Sequence, residues 1–459
     1  MPLTEAAARG APILPLYILD DETPGRFRAG GASRWWLHGS LASLASDFSA
    51  KGGALCLRRG NAGDVLAAVL DETRAQAVHA TRLYDPWDAQ LADEVARLCK
   101  DRDAAYRQFS GSLLFEPEDI HTAGGAPYRV FTPFWKACRA AEAPRAPLPA
   151  PELARFAETT SDRLDDWKLL PVRPDWASGL RDSWKPGEGD AKKRLTRFIG
   201  SHLATYDTDR DRIDYAATSL MSPSLHFGEL SPNQIWHAVT AAEANATNKR
   251  SAESYLREIG WREFCHHLLF HFPKILTQPL RPEFETFPWR DDEAGLRTWQ
   301  KGQTGYPIVD AAMRELWQTG FMPNRARMIV ASFIVKHLLI PWKHGADWFL
   351  DTLVDADLAN NQTNWQWVAG SGADAAPYFR IFNPVLQGRK FDPHGDYVRK
   401  WVPELAQLSG SDIHAPWEAP RLTLADAGIT LGESYPARLI EHDIARKRAL
   451  AAFATIKQS

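Results

Sequence analysis

At 459 residues, 44% of them hydrophobic and 24% charged, the chain has the composition of a globular protein with room for two or three cores. Its 54 basic and 57 acidic residues leave a net charge of −3. That excludes a global field for nucleic acid, so any phosphate-binding surface has to be local. Nothing reads as a signal peptide or a bilayer-length apolar run. Cys56, Cys99, Cys138 and Cys265 lack the spacing of a disulfide framework or zinc site, and a cytoplasmic location is expected.

The first 140 residues alternate. "APILPLYILDD" (11–21), "GALCLRRG" (53–60) and "AQAVHATRLY" (75–84) read as buried strands. "SRWWLHGSLASLASDF" (33–48), "AGDVLAAVLDETRA" (62–75) and "WDAQLADEVARLCKDR" (87–102) read as helices between and after them. Such alternation predicts an α/β domain with a doubly wound parallel sheet. The Pro/Ala-rich "AEAPRAPLPAPEL" (141–153) opens a linker, and helical patterns dominate afterwards. The expected organisation is an α/β N-terminal domain over 1–140, a linker over 141–189 and an all-α C-terminal domain over 190–459.

The chemistry-bearing clusters lie in the second half. "YDTDRDRIDYAATSLMSPSLHFG" (206–228) gathers Tyr206, Arg210, Thr218, Ser219 and Ser222. Hydroxyls crowded before "SPSLHFG" suit a phosphate cradle, although no P-loop or GxGxxG is present. In "SYLREIGWREF" (254–264), helical spacing sets Tyr255, Glu258 and Arg262 on one face, with Trp261 beside it. Alone, the acid and the Arg read as a surface ion pair; the aromatics argue against a fully solvated face. "GFMPNRARM" (320–328) puts Asn324, Arg327 and Met328 on one face and turns Arg325 away, with Pro323 at a suitable helix start. "DADLANNQTNWQWVAGSGADAAPYF" (355–379) mixes Asp355, Asp357 and Asn361 with Trp365 and Trp367. It is either a rim loop on an aromatic core or the wall of a site for something flat. A DxD pair is one way to hold a divalent cation. No His or further acid stands nearby in sequence, so Asp355 is read instead as the partner of a buried Arg, and no metal is expected.

Taken in order, "WREF" (261–264), "GYPIVDAAMREL" (305–316), "NRARM" (324–328), "DADLANNQTNWQW" (355–367) and "DAAPYFRIFNP" (374–384) resemble the photolyase/cryptochrome family over nearly the whole chain. Within it the resemblance points to bacterial, class I-like photolyases of cyclobutane pyrimidine dimers. It implies an α/β antenna domain and a helical FAD-binding catalytic domain. FAD contacts would come from Tyr206, Thr218, Ser219, Leu220, Met221, Ser222, Tyr255, Glu258, Arg262, Asn324, Arg327, Asp355, Asp357 and Asn361. Arg327 and Asp355 would pair beside the flavin, and the Asn361 amide would face its central ring. Trp365, Trp342 and Trp289 match the family's electron-passing chain of three tryptophans. Arg210, Trp261, Asn324, Arg325, Met328 and Trp367 would meet DNA, Trp367 being the aromatic on which the flipped lesion stacks; photolyases are among the enzymes that extrude their target from the helix.

The same resemblance narrows the substrate. The (6-4) photolyases carry histidines in the segment matching "MPNRARM", where this chain has Asn324 and Met328, which favours cyclobutane dimers. Met328 and Trp367 also differ from the Gln and Tyr usual in the single-strand-preferring DASH type, which favours duplex DNA. Glu258 would hydrogen-bond the dimer and stabilise its radical anion. No membrane, no obligate protein partner and a monomer are expected. Family members begin with a strand and a "WFRxDLRxxDN"-like segment before the helix matching "LTEAAARG" (3–10); its loss would leave neighbouring strands unpaired, and a start assigned too late is the preferred explanation. Asp88 in "YDPWD" (84–88) matches a folate-binding acid only loosely, so methenyltetrahydrofolate, a deazaflavin or no antenna chromophore all stay open. Tyr255 and Phe321 stand where Trp is common, each keeping an aromatic ring. The rival reading is a cryptochrome-like blue-light photoreceptor without repair activity, although "YPARLIEHDIARKRALAAFATIK" (435–457) looks like an ordinary final helix. A DxD glycosyltransferase, colourless and Mn²⁺-dependent, is the alternative from another class.

Overall fold

The computed structural model describes residues 1–244, 249–375 and 380–456. The chain forms two compact units: Met1–Ser201 with Leu220–Pro273 and Val354–Ala359, and His202–Ser219 with Lys274–Leu353 and Asn360–Ser459. Among the described residues no helix is long and apolar enough to cross a membrane.

The first unit opens with the expected alternation: α1 (Pro2–Ala8), β1 (Leu16–Leu19), α2 (Gly31–Ser49), β2 (Cys56–Arg59), α3 (Ala62–Thr73), β3 (Ala77–Thr81), α4 (Asp88–Lys100) and β4 (Ala105–Phe109), followed by α5 (Phe131–Ala140). The Asn61 side chain starts α3 by accepting from Gly63 N (3.0 Å) and Asp64 N (3.2 Å), two donors that would otherwise lack an intrahelical partner. One core joins Leu19, Leu37, Leu41, Leu55 and Leu57 to Trp167 and Leu169 of the 141–189 stretch. A second packs Leu66 and Leu70 of α3 on Val95 and Cys99 of α4, with Leu16, Ile18, Val78 and Tyr106 against them.

The strands are parallel, as expected, but form two separate pairs among the described residues. β1 lies beside β2 with Leu16 opposite Cys56, and β3 beside β4 with Ala77 opposite Ala105. Only Leu19 of β1 and no residue of β3 is fully buried. A strand flanked on one edge is covered on fewer sides than an interior one, which is why these runs are less buried than their composition predicts. β4 escaped the sequence reading because Phe109 is its only buried residue and "AYRQF" has no apolar run. The unit's long helix, Lys249–His271, packs on α5 at Gly260, where a Cβ would lie 2.5 Å from the Trp135 ring.

The second unit is helical. Its elements include Pro307–Thr319, Asn324–Ser332, a π-helical turn at Phe333–Leu338, Trp342–Thr352, most of Leu358–Ala369, and His442–Thr455. The motif "GYPIVDAAMREL" does structural work here. Gly305 has φ +75°, and a Cβ on it would meet Ala437 O at 2.4 Å, so only glycine fits. Fully buried Asp310 accepts from Thr304 N (2.6 Å), Thr304 Oγ1 (2.7 Å), Gly305 N (3.0 Å) and Tyr435 OH (2.7 Å). A buried carboxyl persists in this way, with its oxygens satisfied.

Candidate functional site

The hydroxyl-rich stretch passes from Thr218 and Ser219 of the second unit into the first at Leu220, just before a short helix, Ser222–His226. Leu220 adopts φ 55°, a left-handed conformation that costs a non-glycine residue on the order of 1–3 kcal/mol and clusters at ligand clamps. Ser222 Oγ donates to Asp355 Oδ2 at 2.6 Å. Behind the turn, buried Glu229 accepts from Trp36 Nε1 (2.9 Å), Gly187 N (2.6 Å) and Ser224 Oγ (2.9 Å), while Arg194 Nη2 donates to Ser224 Oγ (2.7 Å). This network fixes the turn, and nothing in the local sequence announced it.

Asp357 lies near two imidazoles, with His266 Nε2 at 3.3 Å and His226 Nδ1 at 3.7 Å from its Oδ2. Burial pushes its carboxyl upward, but the two imidazoles, His266 before His226, outweigh this and hold it well below the usual range. The two acids of the DxD therefore have different neighbours, a hydroxyl and a pair of histidines. Among the described residues no group of three or more His, Cys, Asp or Glu is placed to hold a metal ion. Asp88 Oδ2 accepts from Asp85 N at 2.7 Å, and burial raises the Asp88 carboxyl to about 6.

On the Lys249–His271 helix, Tyr255 is buried with its ring 4.6 Å from Phe198, while Glu258, Trp261 and Arg262 are half-buried. Of the residues expected on or beside one face, Tyr255 is thus buried while Glu258, Arg262 and the neighbouring Trp261 are half-buried. Trp261 stacks on Phe131 (3.7 Å, 8°), which covers one face of the indole. Arg262 Nη1 donates to Glu263 Oε1 at 3.2 Å.

In the second unit, Tyr206 is buried and Arg210 lies over its ring at 5.5 Å; Thr218 and Ser219 are half-buried. Asn324 begins its helix, exposed. Met328 and Arg327 are half-buried, and Arg327 Nε donates to Met322 O at 2.8 Å with its guanidinium 5.4 Å from the Phe321 ring. Arg325 does turn away from Arg327: it donates to Asp211 Oδ2 at 2.6 Å and lies over Phe391 at 4.4 Å. Arg327 and Asp355, expected as a pair, belong to different units.

Asn361 Nδ2 donates to Ala346 O at 3.0 Å, which orients the amide and leaves Nδ2 a second hydrogen. Trp365 is buried against Phe349 (5.0 Å) and Trp299 (6.3 Å) and presses on Gly345, where a Cβ would lie 2.1 Å from its ring. Gly345 is on the helix that Trp342 begins. Trp342 is buried and Trp289 half-buried, the latter tilted on Phe287 at 4.4 Å. Half-buried Trp367 donates from Nε1 to Asp374 O at 3.2 Å. The end of this helix is held by Lys336 Nζ to Ala369 O (2.8 Å) and by Gln366, whose Oε1 accepts from Leu280 N and whose Nε2 donates to Ile275 O and Gln278 O. Ala376–Phe379 of "DAAPYFRIFNP", and Lys457 at the end of the final-helix segment, lie outside the described residues.

Comparison with known proteins adds an independent line. The model described as "DNA photolyase" matches residues 1–152, and that described as "FAD binding domain of DNA photolyase" matches 255–455. A deoxyribodipyrimidine photo-lyase of Agrobacterium fabrum is 48% identical, over 100% of this chain and 95% of its own length. Cryptochrome-1 of Arabidopsis thaliana is 37% identical, over 97% of this chain and 67% of its own length. The crystal structure of a bacterial class III photolyase from Agrobacterium tumefaciens matches with a TM-score of 0.96 and 48% identity, covering 100% of this chain and 95% of that one. Its description is class III, where the motifs alone pointed to a class I-like relative.

Proposed function

The chain belongs to the DNA photolyase family, and from that premise we propose that it is a deoxyribodipyrimidine photo-lyase, splitting cyclobutane pyrimidine dimers in duplex DNA under blue or near-UV light. The observation that carries this reading is the 48% identity, end to end, with a protein of that activity. The family's FAD-binding domain spans residues 255–455, and FAD, bound and reduced, supplies the light-excited electron donor.

The donor chemistry fits such a cofactor. The turn at Thr218, Ser219, Leu220, Met221 and Ser222 offers hydroxyls and backbone amides to phosphates, its strained Leu220 being the kind of residue found at ligand clamps. Tyr206, Tyr255, Glu258, Arg262, Asn324, Arg327, Asp355, Asp357 and Asn361 would complete the set, Asn361 with the second hydrogen of its oriented amide. Trp289, Trp342 and Trp365 relay electrons inward, from the half-buried indole to the buried ones. Glu258 hydrogen-bonds the lesion, and Trp367 gives the flipped dimer a flat wall that offsets part of its unstacking. Trp261 offers the indole face on which Phe131 does not stack. Asn324, Arg325 and Met328 line the DNA side, and Arg210 meets the phosphate backbone, so affinity falls with salt despite the net charge of −3. The protein acts as a cytoplasmic monomer without an obligate protein partner.

The test is repair of duplex DNA carrying one cyclobutane thymine dimer, in blue light against darkness. Light-dependent repair is expected. A protein with bound, reduced FAD that repairs nothing would instead point to a photoreceptor, the role its similarity to a cryptochrome would then favour.

A further inference from the structure

Glu263 follows Arg262 on the long helix of the first unit and is 2% exposed. Its Oε1 accepts from Arg262 Nη1 at 3.2 Å. Its Oε2 accepts from two backbone amides of the loop after β4, Leu114 N at 2.7 Å and Phe115 N at 3.3 Å. The next residue of that loop, Glu116, accepts from Tyr84 OH (2.8 Å) and Arg82 Nη1 (2.7 Å) beyond the end of β3. One buried carboxylate thus ties a loop of the α/β region to the guanidinium proposed to contact FAD. A carboxylate has acceptor capacity for all three donors, and a carboxamide does not.

We propose that Glu263 is a positioning residue for FAD: it sets Arg262 and the Leu114–Phe115 loop together, and its protonation releases Arg262. The proposal rests on the reading of Arg262 as a flavin contact. Burial raises the Glu263 carboxyl to about 7, while Arg262 and the two loop amides act in the opposite direction. The other titratable groups it affects are Cys138 on α5 and Tyr84, both of which burial pushes upward, with Glu263 adding to the shift. Neither thiol nor phenol charges near neutrality, but Asp85, which burial raises to about 8 and which interacts with Asp357, does, so a transition near pH 7 is assigned to the Glu263–Arg262 pair by its loss in Glu263→Gln.

FAD dissociation from the holoprotein, followed by flavin fluorescence between pH 6 and 8.5, tests this. In the unsubstituted protein the off-rate should rise as pH falls through about 7. Glu263→Gln keeps one oxygen for the loop amides but turns an NH₂ group toward Arg262. It should lose FAD about tenfold faster at pH 8 and show no pH dependence in this range. The Glu263→Gln effect should vanish in an Arg262→Gln background. A flat profile in the unsubstituted protein overturns the inference without any variant having to fold, and so does an unchanged off-rate and profile in a folded Glu263→Gln protein. If Arg262→Gln alone leaves FAD retention unchanged, the assignment of Arg262 itself fails, an outcome distinct from both.

Discussion

Two helices that carry many of the residues proposed for the site differ in how they are anchored. Lys249–His271 packs by shape on α5 at Gly260 and is tied in addition by charged groups, Glu263 on two loop amides and His266 facing Asp357. Leu358–Ala369 is held through shape, with Trp365 pressed on Gly345 and walled by Phe349 and Trp299, and with uncharged or backbone partners around Gln366. Its one charged-type anchor, Lys336, is 1% exposed, and burial lowers its ammonium well below the usual value. The first arrangement answers to pH and salt. The second answers to volume, because close-packed indoles leave no room for an added methyl.

The sharpest break in this comparison is expected at Glu258. Glu258→Ala should lower single-turnover dimer repair by reduced protein about 10²-fold or more, the scale of losing one preorganised partner of a developing charge. A loss of less than about threefold would remove Glu258 from the lesion site. On the shape-held side, Gly345→Ala should destabilise the protein by about 1–3 kcal/mol in urea unfolding, through overpacking, and should slow flavin photoreduction by displacing Trp365. Unchanged stability would mean that the indole has room to move. Trp367→Ala should weaken binding of dimer-containing DNA by about 1–3 kcal/mol, the range for one stacked base, with undamaged duplex bound as before.

Effects in opposite directions should appear in the pH dependence of stability. In the second unit, His337 is fully buried with Nε2 2.9 Å from His442 Nδ1. Burial, then the charges of His442 and Arg448, lower it to about 3. Between about 3 and 6.5 the unfolded chain therefore binds the extra proton, so this group's contribution is complete above about 6.5 and is lost as pH falls toward 3. Glu263, raised to about 7, is protonated in the folded state where the unfolded carboxyl has already ionised. Its contribution to stability declines from about 4.5 up to about 7. Denaturation midpoints against pH should flatten on the acid side in His337→Phe and lose the neutral-side decline in Glu263→Gln. Identical profiles for all three proteins would count against both assignments.

Much of the proposed site is legible along the chain because its residues come in short, ordered clusters whose chemistry shows locally: hydroxyls at 218–222, an acid and an Arg at helical spacing in 258–262, Asp355 and Asp357 before Asn361, Trp365 and Trp367. The residues that hold them could not. Glu229 receives Trp36 from 193 positions away, and Glu263 receives Leu114 from 149. His226 and His266 meet Asp357 only in three dimensions. "GYPIVDAAMREL" shows the converse: a strong marker of the family, it serves in the structure to bury Asp310 with Tyr435 and to pass Gly305 close under Ala437.

The sequence by itself determined the alternation of strand and helix, the parallel sense of the strands and the family, because periodicity, turn residues and ordered motifs act over neighbouring positions. The tertiary structure alone decided that the described strands form two pairs, that Tyr255 is buried while Glu258 and Arg262 stay half-exposed, that one indole face of Trp261 is covered by Phe131, and that Arg325 is engaged by Asp211. Each of these depends on which distant surface removes a group from water and which distant donor or acceptor then replaces that water, and no local pattern encodes it.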